Sequence, residues 1–140
     1  MTDSKDSEDI KIIQCFDFDG VLFDFLGKWV LFDNAKPILE SLKSKGYTMA
    51  LVSARAANSE YSEQIMSVLK EQKIDHYFNH IVIQYTPKTY HLMEVMEITK
   101  SDKLVLYDDT EQNIKDCEAY GHKCVKINPN KGIQFDDIVY

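Results

Sequence analysis

The sequence predicts an α/β fold: a three-layer, Rossmann-like parallel sheet with helices on both faces and no large cap domain. Short runs of apolar, β-branched and aromatic residues alternate along the chain with stretches of helical periodicity, which is the pattern of strand–helix–strand crossovers. The strand-like runs are apolar throughout and do not alternate with polar residues, as expected when both faces of a strand are buried. These two observations favour a parallel sheet between two layers of helices.

The predicted elements follow one another in regular order. Strands are predicted at 10–18, 47–53, 80–84, 103–108 and 123–128, and amphipathic helices at 35–45, 59–72, 89–98 and 110–120. Asn34 is the predicted N-cap of the first helix, because its short polar side chain can accept a hydrogen bond from the first turn. Gly46 and Gly121 are predicted to end the first and the last helix.

Two segments depart from this order. Residues 1–9 hold many charges and, apart from the initiating Met, no apolar side chain, so we expect a disordered acidic tail before a single domain at 10–140. Residues 20–33 follow the first strand without a clean helical period. Gly27 and several aromatic residues in this segment predict a turn and a short hairpin, which is too short to form a cap.

Composition limits the partners that we expect. The formal net charge is −7, which disfavours nucleic acid as a partner but leaves room for a local basic groove. No apolar run is long enough to cross a bilayer, so no membrane partner is expected. The cysteines, Cys15, Cys117 and Cys124, are odd in number and lack zinc or disulfide spacing, which favours a reducing, cytoplasmic compartment. The oligomeric state is left open.

The candidate functional residues are those that directly follow the predicted strands, because ligands of open α/β sheets bind beyond the carboxyl ends of the strands. Each of the first four strands is followed by at least one charged or polar residue of this kind. They are Asp17, Asp19 and Gly20 after the first strand, Ser53 and Arg55 after the second, Lys88 after the third, and Asp108, Asp109 and Asn113 after the fourth.

This set fits phosphoryl transfer. The carboxylate of Asp17 can attack phosphorus and form an aspartyl-phosphate, and Asp19, two residues further on the same side of an extended segment, can act as general acid and base. Clustered carboxylates and a phosphate repel one another, so we expect Mg²⁺ between them, bound by Asp17, by the main-chain carbonyl of Asp19 and by Asp109. Lys88 would offset negative charge, and Ser53 would donate a hydrogen bond to the phosphoryl group.

Three of these residues have more than one interpretation. Asp108 either contacts a water on the metal or supports the site structurally. Arg55 either binds the substrate phosphate as a bidentate donor or forms a surface salt bridge. Asp109 is expected to bind the metal, although either Asp108 or Asp109 could instead cap the helix that begins near Thr110.

The segments FDFDGVLFD and LVSAR, then Lys88 and the segment LVLYDD, resemble in this order the four motifs of the haloacid dehalogenase superfamily of phosphohydrolases. The missing cap and the segment from Lys103 to Asn128 are most similar to its magnesium-dependent phosphatase group. The resemblance implies a Mg²⁺-dependent phosphomonoesterase, with Gly20, Ser53, Arg55 and Lys88 around the substrate phosphate. It also implies metal binding by Asp17, Asp19, Asp108 and Asp109.

The chain departs from this group at a few positions. Gly20 stands where an aromatic residue is usual, Val21 where threonine is usual, and Asn113 where many members have an acidic residue. Because no cap is expected to select the substrate, it is left open between a phosphorylated small molecule and a phosphorylated protein side chain. Capless relatives also include polynucleotide 3′-phosphatases. A receiver-like domain that accepts phosphate without turnover is a further alternative, although its phosphoaccepting aspartate would follow the third strand.

Overall fold

The computed structural model describes residues 11–55 and 59–140, and the tail predicted at 1–9 lies outside them. Nine regular helices and strands alternate within the described residues. They are β1 (Ile13–Phe16), α1 (Ala35–Ser44), β2 (Met49–Ser53), α2 (Ser59–Glu71), β3 (His80–Ile83), α3 (Lys88–Thr99), β4 (Leu104–Asp108), α4 (Glu111–Ala119) and β5 (Lys123–Lys126), with 3₁₀ turns at Asp75–Tyr77 and Phe135–Asp137.

The strands form one parallel sheet in the order β3-β2-β1-β4-β5, which confirms the predicted fold class. β1 lies at the centre of the sheet, and the chain moves outward from it first to one side and then to the other. The order of the strands reverses between β1 and β4, and in such sheets this is where ligands bind. The end of β1 is therefore the favoured position for a site.

The three inner strands, β1, β2 and β4, bury apolar side chains on both faces, as the unbroken apolar runs predict, whereas the edge strands β3 and β5 are only partly buried. Phe16, Leu51 and Tyr107 point to one layer, whereas Cys15, Val52 and Leu106 point to the other. The first layer contains α1 and α2, which contribute Ile38, Leu42, Ile65 and Leu69, and the second contains α3 and α4, which contribute Leu92, Val95 and Cys117. The helices are thus held by burial of their apolar stripes against the sheet.

The ends of α1 test two of the sequence predictions. Gly46 follows α1 at φ +83°, a left-handed conformation that glycine adopts without a steric penalty, so the predicted helix end is confirmed. Asn34 is the N-cap residue of α1, as predicted, but its side chain makes no cap hydrogen bond. The side-chain amide nitrogen of Asn34 donates to Gln134 Oε1 at 3.0 Å, so the side chain is directed toward a partner 100 residues away.

Residues 20–33 form the predicted turn and short hairpin. The Asp24 amide donates to the Val30 carbonyl at 2.7 Å, the Phe32 amide donates to the Leu22 carbonyl at 2.8 Å, and an antiparallel bridge joins Phe23 to Leu31. A further bridge joins Phe23 to Asp19, so the hairpin is attached to the end of β1. No helix in the described part of the chain is both long enough and apolar enough to cross a bilayer.

Candidate active site

The predicted functional residues meet in one cleft of about 210 Å³ at the carboxyl ends of the strands. The residues that line it come from four separate parts of the chain, as the strand-end argument predicts. Those named from the sequence are Asp17, Asp19, Ser53, Arg55, Lys88, Asp109 and Asn113, and they are joined by Phe25, Ala54 and Thr110. Gly20 and Asp108 lie directly behind this lining.

Asp17 is buried at the end of β1, where its Oδ1 accepts a hydrogen bond from the Phe18 amide at 2.8 Å and lies 3.1 Å from the Lys88 ammonium nitrogen. Burial raises the pKa of Asp17 well above its usual value, because the charged carboxylate loses its water. Lys88 opposes this shift, whereas the negative charges of Asp108 and Asp109 add to it. A cation beside Asp17 would therefore favour its ionised form.

Lys88 lies at the start of α3, 2% exposed, and Nζ donates to Asp108 Oδ2 at 2.7 Å. Burial alone would lower the pKa of Lys88, but the carboxylates of Asp17 and Asp108 outweigh it, so that its pKa is raised and the ammonium stays protonated. Asp108 also accepts hydrogen bonds from the Thr110 amide at 2.9 Å and from the Asn113 amide group at 3.2 Å. Its contacts thus hold Lys88 and the start of α4 in place.

Asp17, Asp108 and Asp109 each offer a carboxylate oxygen, and these atoms lie within 4.8 Å of one another. Hard oxygen donors of this kind suit Mg²⁺, which commonly keeps several waters and takes only one or two carboxylates. Burial raises the pKa of Asp109, and the charge of Asp108 raises it further, because a neighbouring carboxylate disfavours ionisation and a cation would relieve that repulsion. The donor set therefore fits a divalent cation.

Gly20 brings the turn after β1 against this cluster. Its φ is +80°, and a Cβ at this position would overlap the carboxyl group of Asp109. The Gly20 amide already donates to the Phe23 carbonyl at 2.9 Å, so it is not free to bind a phosphoryl oxygen in this conformation. The structure thus accounts for glycine at this position by the close approach of Asp109.

Asp19 does not join the carboxylate cluster. Both of its carboxylate oxygens accept hydrogen bonds from Arg55, one from Nε and one from Nη2, each at 2.7 Å. The salt-bridge interpretation of Arg55 therefore describes this structure, with its partner inside the cleft and its side chain only 12% exposed. The main-chain carbonyl of Asp19, and not its side chain, is left as the predicted metal ligand.

Ser53 ends β2 and is buried, with its hydroxyl oxygen 3.4 Å from the amide of Arg55, which donates to it. The hydroxyl lines the cleft with Asp17 and Lys88, in the position that the sequence predicts. Sequence reasoning missed Phe25 and Thr110, which complete the lining. Only Thr110 had a signal, since it directly follows the carboxylate pair.

Several solved structures share this fold. A protein of Listeria monocytogenes serotype 4b is 20% identical, with a TM-score of 0.69 over 92% of this chain and 85% of that one. A haloacid dehalogenase-like hydrolase of Streptococcus pneumoniae is 14% identical, with a TM-score of 0.67 over 89% and 88%. The N-terminal part of a Bacteroides fragilis protein, which contains a phosphatase domain complexed with Mg, is 15% identical, with a TM-score of 0.66 over 89% of this chain and 38% of that one.

The chain shares its fold with hydrolases of the haloacid dehalogenase superfamily, whose motifs the sequence resembles. A model of the acid phosphatase family matches residues 4–138, so the chain belongs to that family. Among curated proteins, none matches the chain significantly. The chain spans about half the length of several further phosphatase and hydrolase structures of the same fold.

Proposed function

We propose that this phosphatase is a Mg²⁺-dependent phosphomonoesterase that forms an aspartyl-phosphate on Asp17. The observation that carries the proposal is the buried Asp17 carboxylate, 3.1 Å from the Lys88 ammonium, in a cleft that it shares with the hydroxyl of Ser53. Phosphoryl transfer needs a nucleophile, a cation and a hydrogen-bond donor around the same small volume. These residues supply all three.

The reaction would proceed in two displacements at phosphorus. A carboxylate oxygen of Asp17 forms a bond to phosphorus as the bond to the alcohol oxygen breaks, and Asp19 protonates the departing oxygen. Water then attacks the same phosphorus, Asp19 takes its proton, and inorganic phosphate leaves with Asp17 restored. Lys88 and Ser53 hold the phosphoryl oxygens throughout, where their fixed positions stabilise developing charge.

Asp17, Asp109 and the main-chain carbonyl of Asp19 would hold Mg²⁺, with Asp108 behind them. The ion supplies positive charge between the phosphate and the carboxylates that would otherwise repel it. Within the described ranges, Lys88 is the cation that pairs with both Asp17 and Asp108, so a second cation improves the charge balance of the site. Asn113 would act through Asp108, to which its amide donates.

The pair between Arg55 and Asp19 must open during this cycle. Both carboxylate oxygens of Asp19 accept hydrogen bonds from the guanidinium, so neither is free to face a leaving oxygen, whereas the first step needs Asp19 as a proton donor. A phosphoryl group that enters the cleft offers Arg55 another bidentate acceptor. Transfer of Arg55 from Asp19 to the phosphate would release Asp19. Arg55 would then act in turn as a salt-bridge partner and as a phosphate ligand, the two roles that the sequence leaves open.

The test is hydrolysis of an aryl phosphate with Mg²⁺ and with chelator. We expect activity only with the metal, and Asp17→Asn to abolish it. In Asp19→Asn a phosphoryl group should accumulate on Asp17, because the second step lacks its base, and peptide mapping after an acid quench locates it. Asp116→Asn is the matched control, since this carboxylate lies on α4 and accepts a hydrogen bond from Gln112. Metal-independent turnover, or full activity in Asp17→Asn, would refute the proposal.

No observation favours the alternatives for this chain. Membership of a phosphatase family supports turnover and not the lasting phosphorylation of a receiver. A polynucleotide substrate would need a basic approach to the cleft, but the cavity next to it has a wall with three glutamates.

A further inference from the structure

A second cavity, of about 530 Å³, adjoins the catalytic cleft. It lies between α2 and the hairpin, and we call it the α2 pocket. Arg55 lines both this pocket and the cleft, so the two spaces meet at the guanidinium that holds Asp19. Asp19 is the proposed proton donor to the leaving oxygen. The alcohol part of a substrate bound at Asp19 would therefore lie next to this pocket.

Aromatic rings form one side of the α2 pocket. Phe18 and Phe23 stack with ring centroids 4.9 Å apart, and Trp29 meets Phe23 edge-on at 5.1 Å. The Arg55 guanidinium lies 5.5 Å from the Phe18 ring and 5.8 Å from the Trp29 ring. Phe18 and Phe23 are buried, at 0% and 2% exposure, so the Trp29 indole is the ring that a ligand in the pocket can reach, and the cation of this wall is already paired.

Trp29 is held in an exposed position at the rim. The residue is 58% exposed, and its φ of +60° lies in the left-handed region, which is strained for a residue other than glycine. The hairpin holds this conformation through the Trp29 amide, which donates to the Asp24 carbonyl at 2.9 Å. An exposed indole on strained backbone beside a catalytic cleft points to contact with a ligand.

The opposite wall is one face of α2 and is acidic. The residues that line it recur at helical spacing, and the exposed carboxylates among them are Glu60, Glu63 and Glu71. Among the described residues of the lining, Arg55 is the only cation, and Asp19 neutralises it. A ligand between the two walls thus meets the Trp29 indole on one side and negative charge on the other.

From this arrangement we propose that the α2 pocket binds the leaving group and selects phosphate monoesters of a flat, apolar alcohol that carries a positive charge. The inference rests on the proposed phosphatase mechanism, because it uses the position of Asp19. The exposed indole of Trp29 favours a flat apolar body and also attracts a cation, while the glutamates attract a cation and repel an anion. A monoester with a second anionic group is therefore rejected.

Three aryl phosphates that differ in one substituent test the charge preference. They are the phosphates of 4-(aminomethyl)phenol, 4-methylphenol and 4-hydroxyphenylacetate, which are cationic, neutral and anionic in the leaving group. We expect kcat/KM to fall in that order. In the triple variant Glu60→Gln, Glu63→Gln, Glu71→Gln the ratio of cationic to anionic substrate should fall roughly tenfold, since each exposed charge contributes a modest amount.

A matched triple variant separates the effect of charge next to the α2 pocket from the effect of the overall charge of the protein. Glu40→Gln, Glu97→Gln and Glu118→Gln remove the same charge from exposed positions on α1, α3 and α4. This variant should keep the wild-type preference. Trp29→Ala should raise KM for all three substrates roughly three- to tenfold, and Trp29→Phe should restore most of the loss.

Binding of the free phenols gives a readout that does not depend on turnover. Trp29 is the single tryptophan of the chain, so its fluorescence reports ligand at the rim directly. We expect 4-(aminomethyl)phenol to quench it at lower concentration than 4-hydroxyphenylacetate, and the preference to weaken in the Glu60, Glu63 and Glu71 variant. Equal quenching by the two phenols, or a preference that the control triple loses equally, would overturn the inference. Absence of turnover with intact binding preference would refute the phosphatase mechanism alone.

Discussion

Replacing Lys88 with methionine leaves the buried carboxylates of the site without their ammonium. At the observed distances of 2.7 Å and 3.1 Å, its attraction is about 6 kcal/mol to Asp108 and about 5 kcal/mol to Asp17 at an effective dielectric constant of about 20. Burying the ammonium itself costs several kcal/mol, which offsets much of this attraction. We therefore expect Lys88→Met to lower the free energy of unfolding by about 3–5 kcal/mol.

The measurement is urea denaturation at pH 7 in chelator, so that bound metal does not compensate for the lost charge. Lys126→Met is the matched control, because it removes a 2.8 Å ion pair with Glu111 in which both side chains are more than half exposed. Solvent screens that pair, and its loss should change stability little. Equal small losses in both variants would refute the argument that the Lys88 pairs stabilise through burial.

Lowering the pH should reduce the effect of Lys88→Met. Without the ammonium, the pKa of Asp17 rises further above its unfolded value, since Lys88 is the strongest factor that lowers it. A carboxyl group with a raised folded pKa contributes its stability at low pH and loses it as the pH rises. The difference between variant and wild type should therefore grow from acid to neutral pH, and a constant difference would contradict this electrostatic origin.

Two further predictions concern a histidine and a glycine near the site. Burial lowers the pKa of His91 to about 4, so as the pH falls below about 6.5 the unfolded chain takes up a proton before the folded protein does. The free energy of unfolding should therefore decrease as the pH falls, by roughly 2–3 kcal/mol at pH 4.5. His91→Gln should remove this slope in denaturation curves, and parallel curves would contradict it. Gly20→Ala should reduce kcat/KM by roughly a hundredfold, since its Cβ displaces Asp109. Gly46→Ala, at a similar φ and with only Lys11 nearby at 3.9 Å, should leave kcat/KM unchanged.

The lining of the cleft was largely predictable because it depends on strand ends. Asp17, Ser53 and Asp109 follow apolar runs, and parallel strands bring their carboxyl ends to one edge of the sheet. The positions of strands and helices were predictable from the pattern of apolar residues. A strand buried on both faces has an unbroken apolar run, whereas a helix buried on one face has apolar residues at a helical period. The side-chain contacts at their ends were less predictable, because Asn34 precedes α1 as predicted while its side chain bonds to Gln134.

Partners between distant segments were not predictable. Gln14 lies inside an apolar strand, and its side chain is satisfied by the Tyr107 hydroxyl at 2.6 Å and the Val139 carbonyl at 2.7 Å, contacts that only the folded chain creates. The face of α2 with its glutamates is visible as helical spacing, but nothing in the sequence shows that it faces the hairpin across a cavity.

The carboxylate pair at Asp17 and Asp19 shows what the sequence determines and what the tertiary structure alone decides. The sequence determines that both follow the central strand and that a phosphatase chemistry suits them, because residue type and strand order are local properties of the chain. The tertiary structure decides that Asp17 meets Lys88 while Asp19 meets Arg55, 36 residues away. Which charge pairs with which depends on distances across the fold, and burial then sets how strongly each pair acts.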